Sequence, residues 1–222
     1  MRPLTSAVVP AYFHPAVAPD DWRRLAAGGA RARLVVLNLA AGPGPGPDGE
    51  FRAVVDPLVS AGVPVAGYLD TAYGERAPEE VRQDALRYRR WYGVDRVFLD
   101  RVRSDRAALP HYHRTVALLR DDGVGEVALN PGVYPDPGYA ELADLVVTFE
   151  GPWRSYRRLV VPAWAHCLPA HRFCHLVYAT PRIAQRWVRR AAGRRHVGAL
   201  TTTELDGANP WRRLPASWRG RS

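Results

Sequence analysis

Two carboxylates close apolar runs in this chain: Asp100 ends RVFLD and Glu150 ends LVVTFE. A pair of acids at the ends of strands two apart is the minimum equipment of a glycosidase, one serving as nucleophile or base and the other as proton donor. Asp70, ending VAGYLD, is a third acid in an equivalent position. Alternation along a strand puts Phe98 and Asp100 on one face, and Thr148 and Glu150 on one face of the other run. Aromatic, amide and polar residues gather at the same run ends: Tyr12, His14, Asn38, Tyr68, Tyr73, Asn130, Tyr134, Trp153 and Tyr178. Stacking faces mixed with multidentate polar groups suit a carbohydrate groove. The competing account of each acid is a cap, or a loop ion pair with an arginine, and Asn130 in LNPG also suits a turn opening.

Other chemistries fit less well. AHCLPAHRFCH gathers His166, Cys167, His171, Cys174 and His175, but the spacing matches no zinc pattern, and Cys174 and His175 fall on opposite faces of a strand. No metal or other cofactor is expected. There is no GxSxG elbow for a serine hydrolase. All 31 basic residues are arginine, which removes lysine-dependent phosphate loops, Schiff bases and aldolases.

These groups need a scaffold that brings run ends together. Eight short apolar runs cover 8–14, 34–38, 65–70, 96–100, 126–130, 145–150, 175–180 and 198–204. Nearly continuous apolar character marks strands buried on both faces, as in parallel sheets. Helical patterns lie between them at 20–28, 48–61, 78–92, 108–122, 137–143 and 181–195, with a short helix suggested by WRSYRRL. Asp20, Asp48 and Ser104 suit caps or turns, Pro78 and Pro181 first-turn positions, and Gly62, Gly93 and Gly123 helix stops. The reading is α/β: one (β/α)₈ barrel domain over 1–222, close to the ~200-residue lower limit of that fold. A doubly wound sheet would show a glycine-rich phosphate turn after its first strand, and AYFHPAV is not one.

The chain has 222 residues, two cysteines and a net charge of +9. No apolar run reaches the ~20 residues of a membrane span, and MRPLTSAVVPAYF lacks the apolar core of a signal peptide. A cytoplasmic protein without membrane association is expected. The arginines fall mainly on helical segments such as RQDALRYRR and RIAQRWVRR, the outer ring of a barrel, so neither a single basic groove nor specific nucleic-acid binding is expected. Composition leaves the oligomeric state open.

At VPAYFHP, VVLN, GYLDTAYG, YRRWYGVDRVFLDR, LNPGVYPDPGYAELADLVVTFEGPW and FCHLVY the chain resembles the spherulin 4 family, spherulation-specific family 4. That family includes glycoside hydrolases of family 135. The resemblance implies a (β/α)₈ barrel and a retaining two-carboxylate mechanism on an N-acetylhexosamine-containing, galactosaminoglycan-like polysaccharide, with Asp100 and Glu150 as the catalytic acids. The hydrolase branch reads Asp-Glu where this chain has Asp100-Arg101, so a non-catalytic glycan-binding barrel is the alternative. A cationic substrate would be repelled by a +9 protein, which favours a neutral or anionic glycan. Arg101, another substrate-contact candidate, is expected to point off the barrel axis while holding Asp100 ionised. Glu150 is expected to keep its proton to higher pH.

Overall fold

A computed structural model describes residues 7–215 and Trp218. Eight strands follow one another in sequence order in a single parallel sheet: β1 (Ala7–Ala11), β2 (Ala32–Leu37), β3 (Val65–Asp70), β4 (Arg96–Asp100), β5 (Glu126–Leu129), β6 (Leu145–Pro152), β7 (Phe173–Tyr178) and β8 (Ala199–Thr202). β8 returns beside β1, where the Thr201 hydroxyl donates to the Val8 carbonyl, and the barrel is nearly closed. Helices α1 (Pro19–Gly28), α2 (Gly49–Ser60), α3 (Pro78–Tyr92), α4 (Leu109–Asp121), α5 (Gly138–Leu142), α6 (Trp153–Tyr156) and α7 (Arg182–Arg194) lie between the strands.

Period-two geometry splits each strand between two cores. Val8, Leu34, Val36, Ala66, Phe98, Ala128, Val147, Cys174 and Leu176 fill the barrel interior. Val9, Val35, Leu37, Leu69, Leu99 and Leu129 face the helix layer. The helices answer with stripes at helical spacing; α3 buries Val81, Ala85, Tyr88 and Tyr92. Tyr88 lies so close to β3 that a Cβ on Gly67 would sit 2.4 Å from its ring, and its hydroxyl donates to the Leu37 carbonyl at 2.9 Å. Only glycine permits that approach.

Local signals decide most boundaries. Asp48 accepts from the Glu50 and Phe51 amides and caps α2, and Pro78 opens α3. Gly93 ends α3 at φ 65, a left-handed position where a side chain is strained. Three expectations need correcting. Ala18, not Asp20, precedes α1, because Pro19 takes the first position. Asp105, not Ser104, caps the turn before α4 by accepting from Ala108. Pro181 is the residue before α7, not its first turn.

β6 is irregular, and the irregularity matters. Val147 pairs with Cys174 and Phe149 with His175, so Thr148 is an extra residue in the strand. This bulge shifts the parity: Val147 and Glu150 face the interior three residues apart, and Glu150 lies level with interior Leu176. The expected sharing of one face by Thr148 and Glu150 is therefore wrong.

Candidate active site

Asp100 and Glu150 meet at the C-terminal mouth of the barrel. The Asn130 amide, one residue past β5, stands between them and donates to Asp100 Oδ1 at 2.6 Å and Glu150 Oε2 at 2.5 Å. Two oxygens that close to one nitrogen are at most about 5 Å apart, short of the ~6.5–9.5 Å between the acids of inverting glycosidases. The turn after β5 fixes the amide's direction. Gly132 N–H donates to Asn130 Oδ1 at 3.0 Å, which leaves Nδ2 for the acids. The Gly132 carbonyl accepts from Glu150 N–H at 2.9 Å, tying this turn to the bulged strand.

Each remaining carboxylate oxygen has its own donor. Tyr68 hydroxyl donates to Asp100 Oδ2 at 2.7 Å, and Trp211 Nε1 donates to Glu150 Oε1 at 2.8 Å. Tyr12 packs edge-on to Tyr68, with ring centroids 5.4 Å apart. With Asn38, Asn209 and Trp211 these residues line an open cleft of about 440 Å³. Asn38 Oδ1 is buried without a hydrogen-bond partner among the described residues.

Burial raises the proton affinity of both acids above the ordinary carboxylate range. For Asp100 the donors Tyr68, Arg101 N–H and Asn130 offset part of this, and the Asp70 charge adds to it. For Glu150 the Asp100 charge adds to burial, while Asn130 and Trp211 offset it. The expectation that Arg101 holds Asp100 ionised is thus overturned. The Arg101 guanidinium instead donates to Asp70 Oδ2 at 2.8 Å and lies over the Tyr73 ring at 4.9 Å. It is exposed, stands off the cleft and touches neither central acid. Its own backbone is left-handed, at φ 53, as are those of Ala72 and Tyr73.

The other candidates divide. Tyr12, Asn38, Tyr68, Asn130, Asp100 and Glu150 converge on the mouth. Asp70 stands in register beside Asp100, but its carboxylate is occupied by Arg101 and the Ala72 amide. Tyr178 ends β7 half-buried against the interior core, near enough for the Glu150 charge to raise its proton affinity after burial. Further candidates fall outside the cleft, among them Tyr134, which packs on Trp164 and Phe173 on the helix-facing side. His14 is exposed and turned to α2, edge-on to Phe51 with Nδ1 3.5 Å from Glu50, because β1 stops at Ala11. Tyr73 is exposed on the outer rim under Arg101. Trp153 opens α6 and borders a separate hollow.

Sequence reasoning missed Trp211 and Asn209. They lie beyond β8 in a segment that crosses the mouth, anchored by Asn209 Nδ2 donating to the Tyr12 carbonyl at 3.1 Å. The ANPW turn carries the only cue, a tryptophan following the last strand. The histidine–cysteine cluster disperses. Cys174 faces the interior; His175 faces outward between Tyr156 and Tyr134, its pKa lowered to about 3 by burial. His166 stacks on His196, and Cys167 is exposed. Among the described residues no group of three or more histidine, cysteine or acidic side chains could hold a metal ion, and no helix is long and apolar enough to cross a membrane.

The model of spherulation-specific family 4 matches residues 6–221. The chain belongs to that family. Spherulin-4 of Physarum polycephalum is 30% identical over 166 residues, covering 73% of this chain and 49% of Spherulin-4, so the chain spans about half that relative's length. Among solved structures, Aspergillus clavatus Sph3 in complex with GalNAc matches with a TM-score of 0.81 at 23% identity, covering 98% of this chain and 95% of that one. That likeness establishes a shared barrel fold within which this family member's mouth can be read.

Proposed function

We propose that this family member is a glycoside hydrolase acting by a retaining mechanism on an N-acetylhexosamine-containing, galactosaminoglycan-like polysaccharide. The observation that carries the reading is the single Asn130 amide joining two buried carboxylates in an open cleft, with the neighbouring guanidinium committed elsewhere. Asp100, held by Tyr68 and Asn130, is the nucleophile that attacks the anomeric carbon. Glu150, facing the Asp100 charge, retains a proton and gives it to the leaving oxygen. It then takes a proton from the water that releases the glycosyl group. Tyr12, Tyr68 and Trp211 offer ring faces to the sugar, and the unpartnered Asn38 Oδ1 offers an acceptor to a substrate N–H or O–H. The GalNAc bound to Sph3 supports this substrate class.

Turnover of N-acetylhexosamine polymers by the purified chain, beside Asp100→Asn and Glu150→Gln, tests the reading. Each variant is expected to fold and to lose roughly 10²–10⁴-fold in kcat. The product formed first should keep the substrate's anomeric configuration. The non-catalytic alternative draws on Arg101, which stands where the hydrolase branch has an acid. It is supported if wild type and both variants bind the polymer alike and none cleaves it.

A further inference from the structure

The positive charge of this protein is not spread around the barrel. From Gly151 to Thr203 there are ten arginines and no aspartate or glutamate. Outside that span, 21 arginines face 22 acidic residues, so the +9 of the chain resides in the β6–β8 sector. Elsewhere arginines are commonly matched: Arg33 with Glu126, Arg76 with Asp84, Arg82 with Asp122, Arg213 with Asp21. Within the sector, Arg182 pairs with Glu204. Arg154, Arg157 and Arg158 have no carboxylate partner among the described residues, and all three are exposed.

These three border a hollow of about 640 Å³ together with Trp153 and Ser155. The Arg157 guanidinium lies 5.4 Å over the Trp153 ring. Arg195 lies over the Tyr156 and Trp187 rings and donates to the Leu159 and Arg157 carbonyls, tying α7 to this segment. Trp153 is three residues beyond Glu150, so their Cα atoms are at most about 10 Å apart. The hollow is separate from the cleft and follows the C-terminal end of β6, so it lies at the same end of the barrel.

We propose that this hollow is a subsite for negatively charged sugar units of a glycan chain, so that the substrate is an anionic, N-acetylhexosamine-containing polysaccharide bearing sulfate, phosphate or uronate groups. The inference rests on the hydrolase reading for the other end of that chain. Guanidinium groups pair bidentately with such oxyanions, and an aromatic ring beside them supplies a stacking face. Placement at the same end of the barrel as the acid pair favours a glycan chain long enough to reach both over a nucleic acid.

The test is calorimetric binding of the full chain to chondroitin sulfate oligosaccharides, a neutral N-acetylgalactosamine oligomer and a short DNA duplex, at low and moderate salt. Wild type is expected to bind the sulfated glycan at least about tenfold more tightly than the neutral one, an advantage that shrinks with salt. Arg154→Gln/Arg157→Gln/Arg158→Gln should remove that advantage while keeping the melting temperature and the cleavage of short neutral substrates. Equal binding of sulfated and neutral oligomers, or unchanged binding by the triple variant, overturns the proposal. So does tighter binding of the duplex than of the glycan, which would make the face a nucleic-acid surface. Asp100→Asn is expected to bind as wild type does. Arginine-dependent binding without any cleavage would remove the hydrolase reading and leave the subsite standing.

Discussion

At the residue scale the site turns on Asn130. A single amide satisfies one oxygen of each acid, and its direction is set by a backbone amide two residues on. Removing it leaves two buried carboxyl groups sharing a cleft without their common donor. That donor favours the ionised forms, so its loss raises both proton affinities further. In Asn130→Ala the acid limb of the pH–rate profile should move to higher pH, because the proposed mechanism has Asp100 attack in its ionised form. A hydrogen bond to a charged group contributes about 1.5–3 kcal/mol, so kcat should fall roughly 10–100-fold. A structural role alone would lower stability and leave the profile in place. Arg101 is a different kind of residue. Its partner is Asp70 and its pairing is exposed, so it bears on the rim more than on the acids.

The strands, and with them Asp100 and Asn130, were legible because doubly buried β-strands must be apolar on both faces and each run ends where the chain meets water. The helix bounds were legible from Asp48, Pro78 and Gly93, whose backbone or capping chemistry is local. Two features were not. The bulge at Thr148 leaves no mark in LVVTFE, since an extra residue changes which face each neighbour takes without changing residue type. Trp211 lies in a stretch with no periodicity, and only tertiary packing across the mouth brings its indole to Glu150. His14 was misread because a run of apolar letters does not tell where β1 stops. The contact between β3 and α3 supports a stability prediction at this scale. Gly67→Ala drives a methyl into the Tyr88 ring, and Tyr88 is pinned by Leu37, so the ring cannot swing away freely. Overpacking of this sort costs about 1–3 kcal/mol. Thermal unfolding should show a lower Tm, and an unchanged Tm would mean that β3 and α3 separate at little cost.

Across the whole molecule, two sets of carboxyl groups pull stability in opposite directions with pH. Asp122 and Asp105 are held below the ordinary range by hydrogen bonds from Arg82 and Arg103, and Asp144 ends below it because Val127 N–H and Arg120 outweigh its burial. Their contribution is present above the unfolded carboxylate range and is lost on acidification through their native values. Asp100 and Glu150 work the other way. Burial makes the native state hold their protons more tightly than the unfolded chain does. Their contribution is complete below the unfolded range and is lost as pH rises through the raised native values. The acid pair therefore weakens the barrel once pH has risen through those raised values. Asp100→Asn removes one of these buried charges, and the Tyr68 hydroxyl can reverse its role to accept from the new amide. The variant should melt above wild type at pH 7.5, and that advantage should shrink as pH falls to 4. Differential scanning calorimetry at the two pH values checks the sign. A difference independent of pH would show that the charge of Asp100 is not what destabilises the mouth, and that its cost lies in packing alone.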